Sequence, residues 1–466
     1  MISELFAILI VASTLVALVR WRTGIYLMII VGTLQDPVRK LTTDAPAIMA
    51  VSSLPIWCAM IVSSFHSAHS WKSFRQKWPQ LARLTFIFVL SLLPATILVF
   101  QYGLDAWRIA AIGIFGYLVP VASLLTGFVY AREPDAVRSL LRFYCIYTGL
   151  FLVGAFLEYG GLMGDWPALG TGALNVQWVR YLEGGQGQVN LIAGFYRSPD
   201  IMGWHAAALA MFALTLRLSG KGGGSLWMLL SAFALAALLI AGRRKMIGMP
   251  VLWLAAVMFA YLPARRLSAV VRLAAGLAAA AAFLYFAAGE IDIQESYYVY
   301  AATLPAELSG RLAQDTFGAV IGTFTQSGPL GRGIGTASQG TQHLGLEGAR
   351  GWQESGLSKL AVELGIPGLV CALMLFVSLA RQCTTALKAP TSSPSDAALK
   401  AGIFGFVVAN GFSFLVSHQV YGDPLIMMLT SFMLGAVLAS AAWGEDIRRS
   451  RIPIAHEIVT PVSRPA

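Results

Sequence analysis

Charged residues are scarce in this 466-residue chain, where Asp, Glu, Lys and Arg together make up 12%. Soluble domains carry about 25% charged residues, so the composition excludes an ordinary soluble globular protein. Hydrophobic residues reach 57%, and the mean hydropathy is +0.68. Many apolar runs approach or exceed the ~18–20 residues that cross a bilayer as a helix. We therefore predict an all-α polytopic integral membrane protein with about 12–14 transmembrane helices and a large extracytoplasmic loop late in the chain.

Cysteine and histidine are also few, with four and six residues respectively. The four cysteines, Cys58, Cys145, Cys371 and Cys383, lie in or beside apolar runs without C-x-x-C spacing. Neither a disulfide framework nor a zinc site is therefore predicted. The histidines are scattered, and no H-E-x-x-H motif occurs that would indicate a metalloprotease site.

Acidic residues number 23 against 33 basic ones, which gives a formal net charge of +10. In a soluble protein this excess would suggest a nucleic-acid partner. Here Lys and Arg instead gather in short loops on alternate sides of the predicted helices, as the positive-inside rule expects. No Lys/Arg-rich run with interleaved aromatic residues occurs. We therefore predict contact with membrane lipids and no nucleic-acid partner.

The apolar runs predict thirteen transmembrane helices, at about 2–19, 24–35, 46–65, 84–100, 107–131, 143–156, 200–216, 226–241, 246–262, 273–288, 354–379, 401–416 and 425–443. Pro37 disfavours helical backbone in the residue before it, so the second helix is expected to stop at Asp36. With Arg20 and Arg22 placed inside, the basic loops at 66–83, 132–142, 217–221, 265–272, 381–400 and 448–451 also lie inside. The N-terminus is then outside and the C-terminus inside.

This orientation divides the chain into six parts: N-terminal helices (1–157), a first long periplasmic loop (158–199), further helices (200–288), a large periplasmic loop (289–351), C-terminal helices (352–443) and a cytoplasmic tail (444–466).

Two basic clusters, Arg39-Lys40 and Arg243-Arg244-Lys245, end helices on the outer side and so oppose the orientation rule. This placement suggests that something other than membrane orientation retains them. A misplaced helix, or cations that reach headgroup phosphates, is the open alternative.

Several arginines are predicted on the outer surface. Arg197 precedes the seventh helix, Arg243 and Arg244 end the eighth, and Arg311 and Arg332 lie in the large loop. A guanidinium pairs with phosphate through two parallel hydrogen bonds, so several of them converging would suit a pyrophosphate held at the membrane surface. An ordinary loop arginine is the alternative for each one taken alone.

Glu354 lies at the outer start of the eleventh helix, where a carboxylate could accept a proton from an attacking hydroxyl. His343 is an alternative base. A glutamate that only stabilises the positive end of the helix is the alternative to a catalytic role.

Three further patterns carry predictions. Gly331-Arg332-Gly333-Ile334-Gly335-Thr336 looks like a phosphate-binding loop, but no βαβ context surrounds it, so a tight turn that approaches a substrate or another helix is favoured. Lys359 and Glu363 are spaced to pair on one helix face. Asn410, in the middle of the twelfth helix, is predicted to form a hydrogen bond between helices.

The order of these features resembles the O-antigen ligase and O-antigen polymerase superfamily. Ligases of that family carry His followed by Asn, Ser or Gln, then nine residues and Gly-x-x-Gly. Here Glu354-Ser355 is followed, after nine residues, by Gly365-Ile366-Pro367-Gly368. The sequence PLGRGIG at 329–335 is similar to the family's P-L-x-G-x-G stretch. Glutamate in place of the ligase histidine favours a polymerase of a related branch.

Other segments extend this resemblance over residues 194–368. Arg311 resembles the family's loop arginine. Ala241-Gly242-Arg243-Arg244 is similar to the segment whose arginine ends an earlier helix. The sequence FYRSPD at 195–200 resembles the segment that enters the preceding helix.

The resemblance implies a multi-pass glycosyltransferase of the bacterial inner membrane that uses no cofactor, neither nucleotide nor metal. Its donor is a glycan on undecaprenyl diphosphate, and a hydroxyl of a second glycan attacks the anomeric carbon of this donor on the periplasmic side. Its other partners are membrane lipids and polysaccharide-assembly proteins. Taken with the residue patterns, it predicts these residues: catalytic Glu354, Arg244 and Arg311, and substrate-binding Arg197, Arg243, Arg332 and His343. A ligase that transfers glycan to lipid A core is the first alternative. A lipid-linked glycan transporter is the second, although the sequence lacks the internal repeat typical of transporters.

Overall fold

The computed structural model describes residues 2–181, 188–220, 224–261, 318–344, 348, 351 and 353–444. This part of the chain contains fourteen α-helices: α1 (Ile2–Val19), α2 (Trp21–Lys40), α3 (Leu54–Ser67), α4 (Ser70–Lys77), α5 (Pro79–Leu98), α6 (Trp107–Tyr130), α7 (Pro134–Tyr159), α8 (Pro199–Ser219), α9 (Gly224–Ile240), α10 (Arg244–Tyr261), α11 (Ala319–Ser327), α12 (Gly356–Lys388), α13 (Pro394–Val416) and α14 (Pro424–Ala439). One antiparallel hairpin joins β1 (Val179–Tyr181) to β2 (Gln188–Asn190).

Nine helical stretches within the described residues are long and apolar enough to cross a membrane, and α9 and α10 are shorter apolar helices. The all-α polytopic membrane fold is therefore confirmed. Each predicted transmembrane helix has a counterpart except that at 273–288, which lies outside the described residues. Length and apolar composition are sufficient to find such helices because a membrane span needs about 20 apolar residues.

The predicted end of the second helix at Asp36 is wrong, because α2 continues through Pro37 to Lys40. Tertiary contacts hold this last turn in helical form. The buried Lys40 ammonium donates to three backbone carbonyl oxygens of the segment 168–196, at 2.7–3.3 Å. These distant contacts outweigh the local preference of the residue before proline. They also give Lys40 a structural reason to stand at this helix end.

The predicted basic loop at 132–142 is mostly helical, because α7 begins at Pro134. Arg138 explains the difference. Its buried guanidinium forms ion pairs with Asp135 and with Asp396 of α13. A buried charge is tolerated where it is paired and hydrogen-bonded, so this polar stretch belongs to a packed helix.

The centre of the bundle is α8, whose residues from Pro199 to Leu216 are all buried. Trp204 of α8 donates from its indole N–H to Asn410 Oδ1 of α13 at 2.8 Å, and the Tyr421 hydroxyl donates to the same oxygen at 3.0 Å. The predicted hydrogen bond of Asn410 between helices is thus confirmed. A satisfied polar side chain of this kind ties packed helices together inside a membrane protein.

Polar contacts gather at the two ends of the bundle. At one end, which we call the basal end, Arg138 pairs with Asp396. At the other, which we call the site end, Arg197 pairs with Asp423. The described basic loops predicted inside all lie at the basal end. The described parts of both long loops predicted outside lie at the site end.

Candidate functional site

A basic cluster lies at the site end, where α9 turns into α10. The carboxylate of Asp200, in the first turn of α8, lies 2.9 Å from the Arg243 guanidinium and 3.1 Å from the Lys245 ammonium. The Arg243 guanidinium also lies 4.9 Å from the ring centre of Trp178. Two cations and one carboxylate are thus gathered at the site end. Cationic side chains at the mouth of a helix bundle attract anionic ligands.

The first long loop folds back over this cluster. Its β1–β2 hairpin places Arg180 within electrostatic range of Asp200. The Leu191 backbone N–H donates to the Trp178 carbonyl oxygen at 2.8 Å, next to the hairpin. The carboxylate of Glu158, at the end of α7, accepts hydrogen bonds from two backbone N–H groups of the same loop. The described part of the loop is therefore held in place at the site end.

Arg197 lies between two buried carboxylates. Its guanidinium is 2.9 Å from Asp36 of α2 and 2.6 Å from Asp423 at the start of α14. Burial by itself lowers the pKa of Arg197, but Asp36 and Asp423 outweigh burial and raise this pKa above its usual value. The charge of Arg197 is thus matched within the protein. The arginine joins three helices, and a role in substrate binding stays a prediction.

His418 fastens the segment that carries Glu354. Its backbone N–H donates to the Glu354 carbonyl oxygen at 2.9 Å, and its Nε2 lies 2.8 Å from the Gln353 carbonyl oxygen. The neighbouring Ser417 hydroxyl accepts a hydrogen bond from the Lys245 ammonium at 3.0 Å. These contacts connect the basic cluster to the exposed Glu354, which lies within electrostatic range of Lys245.

The neutral His418 ring predicts a pH dependence of stability. Burial, with a smaller effect of Lys359, lowers the pKa of His418 to about 3. A folded-state pKa below the unfolded value of about 6.5 contributes stability above that value, and this contribution is lost as the pH falls below it. Because of this residue, we expect the free energy of unfolding to fall by about 2 kcal/mol between pH 7.5 and pH 5.

Unfolding curves against pH for wild type and His418→Gln would isolate this effect, because glutamine keeps an N–H donor but does not titrate. The difference between the two proteins should change by about 2 kcal/mol over that interval. Parallel curves would mean that His418 has the same pKa in the folded and the unfolded state, contrary to this expectation.

The glycine-rich segment 329–336 lies between α5, α6 and α12. The Ile334 side chain is fully buried, and its backbone N–H donates to the Ala95 carbonyl oxygen of α5 at 2.9 Å. Gly333 has a φ of +105°, and a methyl group there would lie 2.7 Å from the backbone nitrogen of Val99. Only glycine combines this conformation with so close an approach. The segment is thus a tight turn against other helices, which is the favoured one of the two predicted interpretations.

A break in α12 receives this turn. Gly365 has φ +63° and ψ −167°, a conformation that is essentially restricted to glycine, and helical residues continue on both sides of it. The Ile366 N–H donates to the Pro329 carbonyl oxygen at 2.8 Å, and the Arg332 N–H donates to the Val362 carbonyl oxygen at 2.6 Å. The break therefore exposes backbone groups that the glycine-rich turn satisfies, as buried backbone requires.

Glu363 anchors the next part of the same loop. Its fully buried carboxylate accepts hydrogen bonds from the Ala337 N–H at 3.0 Å, the Ser338 hydroxyl at 3.1 Å and the Tyr117 hydroxyl at 2.6 Å. The predicted pair of Lys359 with Glu363 is not formed. The Lys359 ammonium lies 5.8 Å from the Tyr117 ring centre instead. Helical spacing could not show this, because all three donors come from other parts of the chain.

Removal of one of these donors gives a measurable prediction. Tyr117→Phe is expected to lower the free energy of unfolding by about 1–3 kcal/mol, because a buried carboxylate loses a hydrogen bond. Chemical unfolding in detergent would measure the change. Tyr102→Phe is the control, since no hydrogen bond of that hydroxyl to a described residue is seen, and it should change stability by less than about 0.5 kcal/mol. Equal stability of Tyr117→Phe and wild type would contradict the role of this network.

The structure brings only some of the predicted site residues together. Arg243 and Glu354 both lie at the site end, and the contacts around them are described. Arg197 lies apart from them and forms its own ion pairs. Arg332 belongs to the glycine-rich turn, with its side chain beside Gly351. The structure describes only the backbone of Arg244, which begins α10, and of His343, which ends a short 3-10 helix (Gln339–His343), while Arg311 lies outside the described residues.

Four residues that contribute to the candidate site were not predicted from the sequence: Asp36, Asp200, His418 and Asp423. Three of these are aspartates beside a proline, in Asp36-Pro37 inside α2 and in Pro199-Asp200 and Asp423-Pro424 at helix starts. The aspartate–proline pattern indicates a helix boundary but carries no information about an ion-pair partner. His418 has no local signal at all, since its partners lie more than sixty residues away.

Comparisons with known proteins give no family for this chain. No protein-family model, no curated protein and no solved structure matches it. Its function has to be inferred from its own residues and contacts.

Proposed function

We propose that this chain is a glycosyltransferase of the bacterial inner membrane, of the polysaccharide polymerase type. It joins glycan repeat units from undecaprenyl-diphosphate donors on the periplasmic side, without nucleotide or metal. One observation carries the proposal: the basic cluster of Arg243 and Lys245 and the segment that carries Glu354 are joined at the site end through Ser417 and His418.

Cationic side chains beside a proton acceptor suit glycosyl transfer from a lipid diphosphate. The acceptor hydroxyl oxygen forms a bond to the anomeric carbon of the donor as the bond from that carbon to the diphosphate oxygen breaks. The hydroxyl proton passes to Glu354. The negative charge that develops on the leaving diphosphate is stabilised by Arg243, Arg244 and Lys245. In the same proposal, Arg311 stabilises this charge as well, and Arg332 and His343 contact the substrate.

The spacing between Glu354-Ser355 and the Gly-x-x-Gly motif has a structural reason here, which supports the proposal. The Ser355 side chain accepts a hydrogen bond from the Ser358 N–H and caps the first part of α12. Nine helical residues separate this cap from the break at Gly365, which corresponds to about 13 Å of helix. The spacing thus fixes the distance from Glu354 to the glycine-rich turn.

The proposal is tested with purified full-length protein, a lipid-diphosphate oligosaccharide and no nucleotide. Longer glycan chains should form as undecaprenyl diphosphate is released in equal amount to the new bonds. Transfer only onto an added lipid A core acceptor would indicate the ligase. An unchanged donor after long incubation with folded protein would argue against both enzymes.

Transport of a lipid-linked glycan is the second candidate, and the break in α12 favours it. Discontinuous helices form the substrate sites of many transporters, and α12 has such a discontinuity at Gly365. In sealed proteoliposomes, a transporter would move the labelled glycan lipid between leaflets without forming a new glycosidic bond. The enzyme would form that bond even in detergent, where no leaflets exist.

A further inference from the structure

A second cationic surface lies at the basal end, on the helix α4. This helix joins two stretches that can cross a membrane, Ala47–Ser67 and Pro79–Tyr102. Only residues 68–69 precede it after the first stretch, and residue 78 alone follows it before the second. The predicted loop 66–83 therefore contains a helix, and this helix lies close to the membrane surface.

One face of α4 is fixed to the bundle. The Phe74 side chain is fully buried and packs edge-on against Phe128 of α6, with ring centres 5.4 Å apart. The Ser70 hydroxyl donates to the Ser64 carbonyl oxygen at 3.0 Å. Trp78, one turn after Phe74, is buried as well. These contacts set the rotation of α4 about its axis.

The opposite face of α4 carries exposed cations. Lys72 and Arg75 are exposed, as is Arg83 in the second turn of α5, and none of the three forms an ion pair with any residue that the structure describes. The sequence contains no Asp or Glu between Asp44 and Asp105, so α3, α4 and α5 have no acidic residue of their own. The positive charge of this face is therefore uncompensated by its own elements.

We propose that Lys72, Arg75 and Arg83 form a binding surface for the headgroups of anionic phospholipids, and we call it the α4 surface. Its position between two membrane-crossing stretches puts it at the level of the headgroups. The half-buried Trp71 lies beside the cations, and tryptophan is enriched at that level of a bilayer. Each Lys or Arg near an anionic membrane surface contributes about 1 kcal/mol of attraction. This proposal is independent of the chemistry at the site end.

The test is lipid binding to the full-length protein by native mass spectrometry. Wild type, released from mixed micelles, should retain phosphatidylglycerol over phosphatidylcholine. The variant Lys72→Gln/Arg75→Gln/Arg83→Gln should bind phosphatidylglycerol about 100-fold more weakly, given the attraction per cation, while its affinity for phosphatidylcholine stays the same. Each single substitution should weaken phosphatidylglycerol binding about fivefold. Raising the salt concentration should weaken binding in wild type more than in the triple variant.

A matched control keeps the total charge change equal. The variant Arg20→Gln/Arg132→Gln/Arg381→Gln removes three exposed cations elsewhere at the basal end and should keep the phosphatidylglycerol preference of wild type. Equal loss in both triple variants would overturn the proposal, because the attraction would then belong to the net charge alone. Undiminished binding to the α4 variant, or wild-type binding of inorganic phosphate as strong as that of the lipid, would overturn it too.

Discussion

Arg197→Ala is expected to lower the free energy of unfolding by about 3–5 kcal/mol, because it leaves buried charges without their partner. The carboxylates of Asp36 and Asp423 are only 2% and 3% exposed, and each lies within 3 Å of the Arg197 guanidinium. Without that guanidinium, two negative charges face each other across the junction of α2, α8 and α14. A change of this size is a large fraction of the stability of a typical domain.

Chemical unfolding in detergent would measure the effect, and two variants would assign it. The triple variant Asp36→Asn/Arg197→Gln/Asp423→Asn removes all three charges together, so it should recover most of the stability that Arg197→Ala loses. Arg217→Ala removes an exposed arginine at the basal end and should cost less than about 0.5 kcal/mol. A loss below about 1 kcal/mol in Arg197→Ala would show that the ion pairs contribute little.

Buried charges show where sequence-based prediction of the fold ends. Apolar length located the helices, because a membrane span is a continuous run of about 20 residues. The proline signal misplaced the end of α2. Pro37 acts only on its neighbours in sequence, whereas Asp36 and Lys40 contact residues that are distant in the sequence. Likewise, Arg138 indicated a loop until its pairing with Asp396 placed it inside a helix. Errors occurred where a charge has a distant partner.

The candidate site divides in the same way. The orientation rule predicted that Arg243 and Glu354 share one side, and the structure places both at the site end. Arg197 was grouped with them, but its charge is matched by Asp36 and Asp423. The role of His418 could not be predicted, because nothing in the sequence around it indicates which backbone it contacts. The sequence and the orientation rule predict on which side of the membrane each charge lies, but they do not predict which charges form ion pairs.

Glu354→Gln is expected to reduce the initial rate of glycan chain growth by about 10²- to 10⁴-fold, if the carboxylate is the base of the proposed reaction. An amide has nearly the shape of the carboxylate but cannot accept the hydroxyl proton. The fold should persist, because Glu354 is exposed and its segment is held by backbone contacts to His418. The measurement is the initial rate with a saturating lipid-diphosphate donor, together with donor affinity and the unfolding midpoint of each variant.

Two matched variants separate a lost base from a lost charge. Asp165→Asn removes an exposed carboxylate from the first long loop and should leave the rate unchanged, which controls for the altered field at the site end. His343→Gln removes the alternative base. If His343→Gln loses activity while Glu354→Gln retains it, the proton passes to the imidazole. If Glu354→Gln alone is inactive and still binds donor as wild type does, the carboxylate acts in the chemical step. Its effect then cannot come from electrostatic binding, because that would change the affinity for the anionic donor as well.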